Sequence, residues 1–138
     1  MNTNTIFDHE KLAVYQLELE FVAWVTPLIF EIKKNPEAMI REVSDHLDRS
    51  SLSALFNTAE GNGKRQSKQR AKFFDDARGS ACECAACLDA LVAKGQCSSE
   101  RIIEGKKMLF RIVSMLSKLV DRFSEQKNCV REDTTDYE

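Results

Sequence analysis

The sequence predicts an all-α protein, an antiparallel up-down-up-down four-helix bundle, and three observations carry that prediction. Apolar residues recur at three-then-four spacing along four long segments. Short polar connections separate them, marked by Asn35-Pro36, the Gly61 to Gly63 pair and Gly95. Only two prolines and five glycines interrupt 138 residues, and connections this short make consecutive helices antiparallel neighbours. No strand is needed to place what remains.

The first helix is expected from about Asp8 to Lys33, with Asp8 as its N-cap. Leu12, Tyr15, Leu19, Val22 and Trp24 are joined by Val14, Leu17, Phe21, Val25, Leu28, Ile29, Phe30 and Ile32, which is more than one stripe. A helix apolar on more than one side buries its second side against something else. Pro27 is expected to kink it or mark its last regular turn.

Asn35-Pro36 reads as a helix start, because asparagine caps well and proline fits the first helical position, where its missing N–H has no partner to lose. The second helix carries Met39, Ile40, Val43, Leu47, Leu52, Leu55, Phe56 and Ala59, and is expected to stop at Gly61 in a left-handed conformation. Ser67 is the expected cap of the third helix, which carries Phe73, Phe74, Ala77, Leu88, Leu91 and Val92 and ends before Gly95. Its middle is small, from Gly79, Ser80 and Ala81 to Cys87, which gives up helix propensity at Gly79 and lets a neighbouring backbone approach closely. Ser98 or Ser99 opens the fourth helix, whose Ile102, Leu109, Ile112, Val113, Leu116, Leu119, Val120 and Phe123 make the cleanest amphipathic pattern of the chain.

Residues 1–126 are expected to form one domain, and 127–138, ending in REDTTDYE, a flexible polar tail with no apolar period. With 43% apolar and 30% charged residues the composition is that of a soluble helical protein, long enough to bury a core without disulfides or metal. No run of eighteen apolar residues occurs, and the N-terminal residues lack the basic start and apolar stretch of a signal peptide, so a cytoplasmic location without membrane contact is expected. Five cysteines, three of them at 82, 84 and 87, read as reduced thiols rather than a disulfide framework.

Charge is concentrated in one place. From Gly61 to Phe74 stand Lys64, Arg65, Lys68, Arg70 and Lys72 with no acid, so a chain of net charge −2 that carries +5 here leaves −7 for the remainder. A helix N-terminus near Ser67 adds free N–H groups and the positive end of a dipole, an arrangement suited to phosphate.

The same stretch resembles a known family. Asn57-Thr58-Ala59-Glu60-Gly61-Asn62-Gly63-Lys64, then Phe73-Phe74, Ala77-Arg78-Gly79-Ser80 and Glu83, with Arg49 upstream, is similar to the signature of the four-helix-bundle family encoded in intervening sequences of bacterial large-subunit rRNA genes. The sequence departs from that pattern at Leu55, where proline is usual, at Thr58, where an apolar residue is usual, and at Asn62, where an aromatic is usual. The resemblance implies a four-helix bundle in a cyclic homo-oligomer, a pentamer in structurally known relatives, and a largely unassigned biochemical role. The related accessory proteins of diversity-generating retroelements, basic rings that work with a reverse transcriptase and its RNA, extend the analogy at the level of fold.

Arg49, Asn57, Glu60, Gly61, Gly63, Arg78, Gly79, Ser80 and Glu83 are read as structural. If the turn centres near Gly63, Arg49 comes level with Arg78, within reach of Asp75, and Arg78 within reach of Asp45 or Asp48. Cys84 and Cys87 read as small buried side chains, since zinc wants a second close pair and no histidine follows His46. The Glu-x-x-His pairs of di-iron bundles and a nucleophile elbow are both missing, so no catalysis, cofactor, metal or small-molecule substrate is expected. Two functions stay open: an oligomeric binding protein whose basic loops contact RNA or another nucleic acid, and a self-assembly or protein-interaction module that leaves those loops solvated.

Overall fold

The computed structural model describes residues 4–35 and 41–131. Among the described residues there are four α-helices and no strand: α1 (Ala13–Lys33), α2 (Arg41–Gly63), α3 (Ser67–Ala93) and α4 (Ser99–Arg131), preceded by a 3₁₀ turn at Asp8–Lys11. Cross-helix contacts fix every neighbour as antiparallel. Thr58 meets Glu18 and Asp45 meets Lys33 between α2 and α1. Ser53 meets Ser80 between α2 and α3, Asp89 meets Lys106 between α3 and α4, and Glu31 meets Arg101 between α1 and α4.

The core is one cluster drawn from all four helices. Leu28, Leu47, Phe74, Leu88, Leu91, Ile112 and Leu116 are essentially removed from water, each worth about 1.5–3 kcal/mol of apolar burial. The expected α4 stripe is the observed one, with Ile102, Leu109, Ile112 and Leu116 inward. By length and apolar content α1 is able to cross a membrane, yet Val14, Leu17, Phe21, Val25, Leu28, Ile29 and Ile32 are buried within the bundle. Its outer face is less apolar than the sequence suggests, since only Leu19 and Phe30 stand there as large exposed side chains.

Several helix ends differ from the expectation. Asp8 does not cap α1: it opens the 3₁₀ turn, which Glu10 caps by accepting from the Ile6 and Phe7 amides, and α1 begins after an extended Leu12 that gives it no side-chain cap. Pro27 lies inside α1, which continues unbroken to Lys33; Thr26 donates its hydroxyl to the Val22 carbonyl one turn back. The expected start of the second helix at Pro36 lies outside the described residues, while the Asn35 side chain donates to Gln96 in the α3–α4 connection.

The α2–α3 corner departs most. Gly61 does not end α2; it sits buried inside the helix, where a Cβ would lie 3.0 Å from Phe73 Cβ and 3.2 Å from the Phe74 ring. Its role is close approach of two helices rather than a left-handed turn. The connection is Lys64-Arg65-Gln66, and Gln66, not Ser67, holds the extended cap position of α3. Gly79, expected to admit a neighbouring backbone, faces open space, as does Gly63. The left-handed glycine is Gly95, φ 74°, which closes α3 by letting Gly95 and Gln96 donate to the carbonyls of Val92 and Leu91. Ser98 caps α4 by accepting from the Arg101 amide, and α4 runs to Arg131, past the expected tail boundary at 127.

Candidate functional site

Two surfaces follow from this corner: the basic turn itself, and a polar seam along the outer faces of α2 and α3. In the turn, the five cations divide into two groups. Arg70 folds back, donating Nε–H to the Lys64 carbonyl at 2.6 Å while its guanidinium lies 5.2 Å from the Phe123 ring. Lys64 and Lys72 flank Phe73, their ammonium groups 5.0 and 5.3 Å from the ring centroid, and pair with Glu60 at 3.6 Å and Asp76 at 3.1 Å. Arg65 and Lys68 are exposed and make no hydrogen bond or ion pair among the described residues. The acid-free stretch in sequence is therefore neutralised in part by acids just outside it, and two cations face water at the start of a helix of 27 residues.

The seam has a register that the sequence did not show. Ser50 donates to Glu83 at 3.3 Å and Ser53 shares a hydrogen bond with Ser80 at 3.0 Å, so position 49 falls opposite position 84 rather than 78. The expected Arg49–Asp75 and Arg78–Asp45 or Arg78–Asp48 pairs are not formed. Arg78 holds Asp75 on its own helix at 2.9 Å, and Asp45 is taken by Lys33, whose hydrogen bond holds that carboxyl below the usual range. The physical reason is the turn: α2 extends past Gly61, which moves the centre of the hairpin toward the C-terminus.

Around this seam His46, Arg49, Ser50, Leu52, Ser53, Phe56 and Glu83 line an open cleft of about 550 Å³. His46 Nε2 stands 3.8 Å from Glu83, and Asn57 braces the serine by donating to Ser53. Arg49, Asn57, Ser80 and Glu83 of the sequence signature are thus brought together, whereas Glu60, Gly61 and Gly63 lie in the last turn of α2, Arg78 pairs with Asp75 and Gly79 faces open space.

Sequence reasoning missed a buried acid. Glu18 is 2% exposed between α1 and α2; its Oε2 accepts from the Thr58 hydroxyl at 2.7 Å and its Oε1 has no partner. Burial pushes its pKa from 4.5 up to about 8, against the opposing effect of the Thr58 hydrogen bond. The signal was available in the spacing, since Glu18 lies four after Val14 and three before Phe21 on the apolar stripe. Thr58 and Asn62, two departures from the family pattern, are the residues that pair with acids of the N-terminal segment, Thr58 with Glu18 and Asn62 with Asp8 at 3.0 Å. Cys84 and Cys87 are buried, and burial pushes both thiols up, Cys84 far more than Cys87. Among the described residues no cluster of His, Cys, Asp or Glu has the makings of a metal site.

Fold and site together define an all-α four-helix-bundle protein with a cationic corner. The chain belongs to the family described as 23S rRNA-intervening sequence protein, which it matches over residues 10–118. A crystal structure of a protein of unknown function from the S23 ribosomal protein family of Bacteroides thetaiotaomicron VPI-5482 superposes with a TM-score of 0.71 over 78% of this chain and 98% of that one. At 18% identity that likeness is one of fold. No curated protein matches the sequence.

Proposed function

We propose that this protein is a non-catalytic, self-associating bundle that binds nucleic acid, RNA above all, through the turn between α2 and α3. The observation that carries the reading is the pair Arg65 and Lys68 at the N-terminal end of α3, exposed and without a hydrogen-bond or ion-pair partner among the described residues. Cations left free at a helix start have nothing to hold but solvent or an anion, and phosphate suits both the side chains and the dipole. Two such contacts per subunit bind weakly; several subunits presenting them in one direction bind usefully through avidity.

Fluorescence anisotropy with a labelled structured RNA tests the reading. With about two phosphates held per subunit, affinity falls roughly tenfold between about 50 and 200 mM salt for each subunit engaged on one RNA, and R65A/K68A removes most of the binding. Wild-type protein that leaves the RNA free at the lower salt would overturn it. A second reading, assembly alone, rests on Phe56, which is exposed on α2 within the cleft beside Arg49. Sedimentation velocity of Phe56→Ser distinguishes the two: the assembly reading requires loss of the oligomer with no RNA phenotype in R65A/K68A.

A further inference from the structure

The charge pattern of α4 holds a second cationic run. From Gly105 to Val120 the sequence has Lys106, Lys107, Arg111 and Lys118 and no aspartate or glutamate. Helical spacing places Ile103, Lys107, Phe110, Arg111 and Lys118 on one outer face, opposite the Ile102, Leu109, Ile112 and Leu116 stripe. That face is wet: Phe110 is 73% exposed and Ile103 47%. Lys106 holds Asp89 at 2.7 Å, whereas Lys107 and Arg111 make no ion pair or hydrogen bond among the described residues, nor does Lys118. Ile103, Lys106, Lys107, Phe110 and Arg111 line a shallow groove of about 570 Å³.

An exposed phenyl ring flanked on its own helix by free cations fits one ligand chemistry closely. Single-stranded nucleic acid presents a base face to stack and phosphates on either side of it, and binding sites for it combine these two elements without reading sequence. A duplex keeps its base faces stacked inside, leaving a flat ring on a helix surface nothing to stack on but offering its phosphates to the cations. We propose that the outer face of α4 is a single-strand RNA track, with Phe110 as the stacking platform and Lys107, Arg111 and Lys118 on the flanking phosphates. From Lys107 to Lys118 the track is about 17 Å long at about 1.5 Å rise per residue, with exposed Glu104 marking its N-terminal edge. The inference deepens the nucleic-acid reading and rests on it, adding a strand preference that the basic turn alone does not supply.

The test uses the full chain, a fluorescein-labelled oligouridylate of about twelve nucleotides and a blunt RNA hairpin of matched length. Phe110→Ala is expected to weaken oligouridylate binding about tenfold, the effect of losing one stacked base, with hairpin affinity changed less than twofold and Phe110→Trp restoring the loss. Replacing Lys107, Arg111 and Lys118 by alanine is expected to flatten the salt dependence for oligouridylate by about two in log–log slope. Circular dichroism confirms the fold of each variant, which these exposed positions leave intact. If R65A/K68A abolishes binding while both α4 variants bind oligouridylate within twofold of wild type, the turn stands and the track falls. Oligouridylate bound no better than hairpin by the wild type also overturns the track, as does a Phe110→Ala phenotype confined to self-association, which marks the face as protein-docking. If wild type binds neither RNA, the turn and the track fall together.

Discussion

Glu18 makes the stability of this protein depend on pH in a direction opposite to that of most acidic side chains. A carboxyl whose pKa rises from 4.5 in the unfolded chain to about 8 in the fold keeps a proton that unfolding releases. Between those values the unfolded state binds fewer protons, so stability is fully present near pH 4.5, declines as pH rises, and levels off above about 8. At about 1.4 kcal/mol per pKa unit the whole window amounts to ~5 kcal/mol, comparable with the total stability of a small domain. Glu18→Gln removes the ionisation and retains a carbonyl oxygen for the Thr58 hydroxyl. Any fixed cost of its amide group is the same at every pH. Urea denaturation followed by circular dichroism near pH 5, 7 and 9 reads the difference: the variant gains on wild type as pH rises, by several kcal/mol across the window, while other titrations cancel in the comparison. Parallel stability–pH curves for the two proteins would refute the reasoning, because they would mean that the buried carboxyl takes no proton on folding.

Other outcomes follow from the same packing. A Cβ at Gly105 would fall 2.5 Å from Trp24 Cη2, with Arg101 covering the indole 5.4 Å from the ring, so Gly105→Ala lowers stability by about 1–3 kcal/mol; trimming the ring with Trp24→Leu makes the second substitution cheaper, a non-additivity that a double-mutant cycle measures. Thiol labelling under native conditions, read by mass spectrometry, modifies exposed Cys82 well before buried Cys84 and Cys87. Arg65 and Lys68 have no hydrogen-bond or ion-pair partner among the described residues, so R65A/K68A shifts thermal stability by no more than about 0.5 kcal/mol, which separates its RNA phenotype from unfolding.

What the linear chain determined is the periodic part. Apolar spacing in α4, the caps at Ser98 and Gly95, the burial of Cys84 and Cys87 and the presence of four helices all follow from local pattern, because each depends on residues within a turn or two of one another. Family membership was legible for the same reason, from a compact run around Asn57 to Glu83. The tertiary structure decided what depends on partners distant in sequence. Gly61 reads as a helix end until Phe73 and Phe74 are seen pressed against it, and that one difference lengthens α2, moves the hairpin centre and puts Arg49 opposite position 84. Five clustered cations became two free ones once Glu60, Asp76, Phe73 and Phe123 came alongside. Glu18 is one acid among many in the sequence; only packing of α1 against α2 removed its water, and desolvation acts through whatever surrounds a group in space, which local pattern does not record.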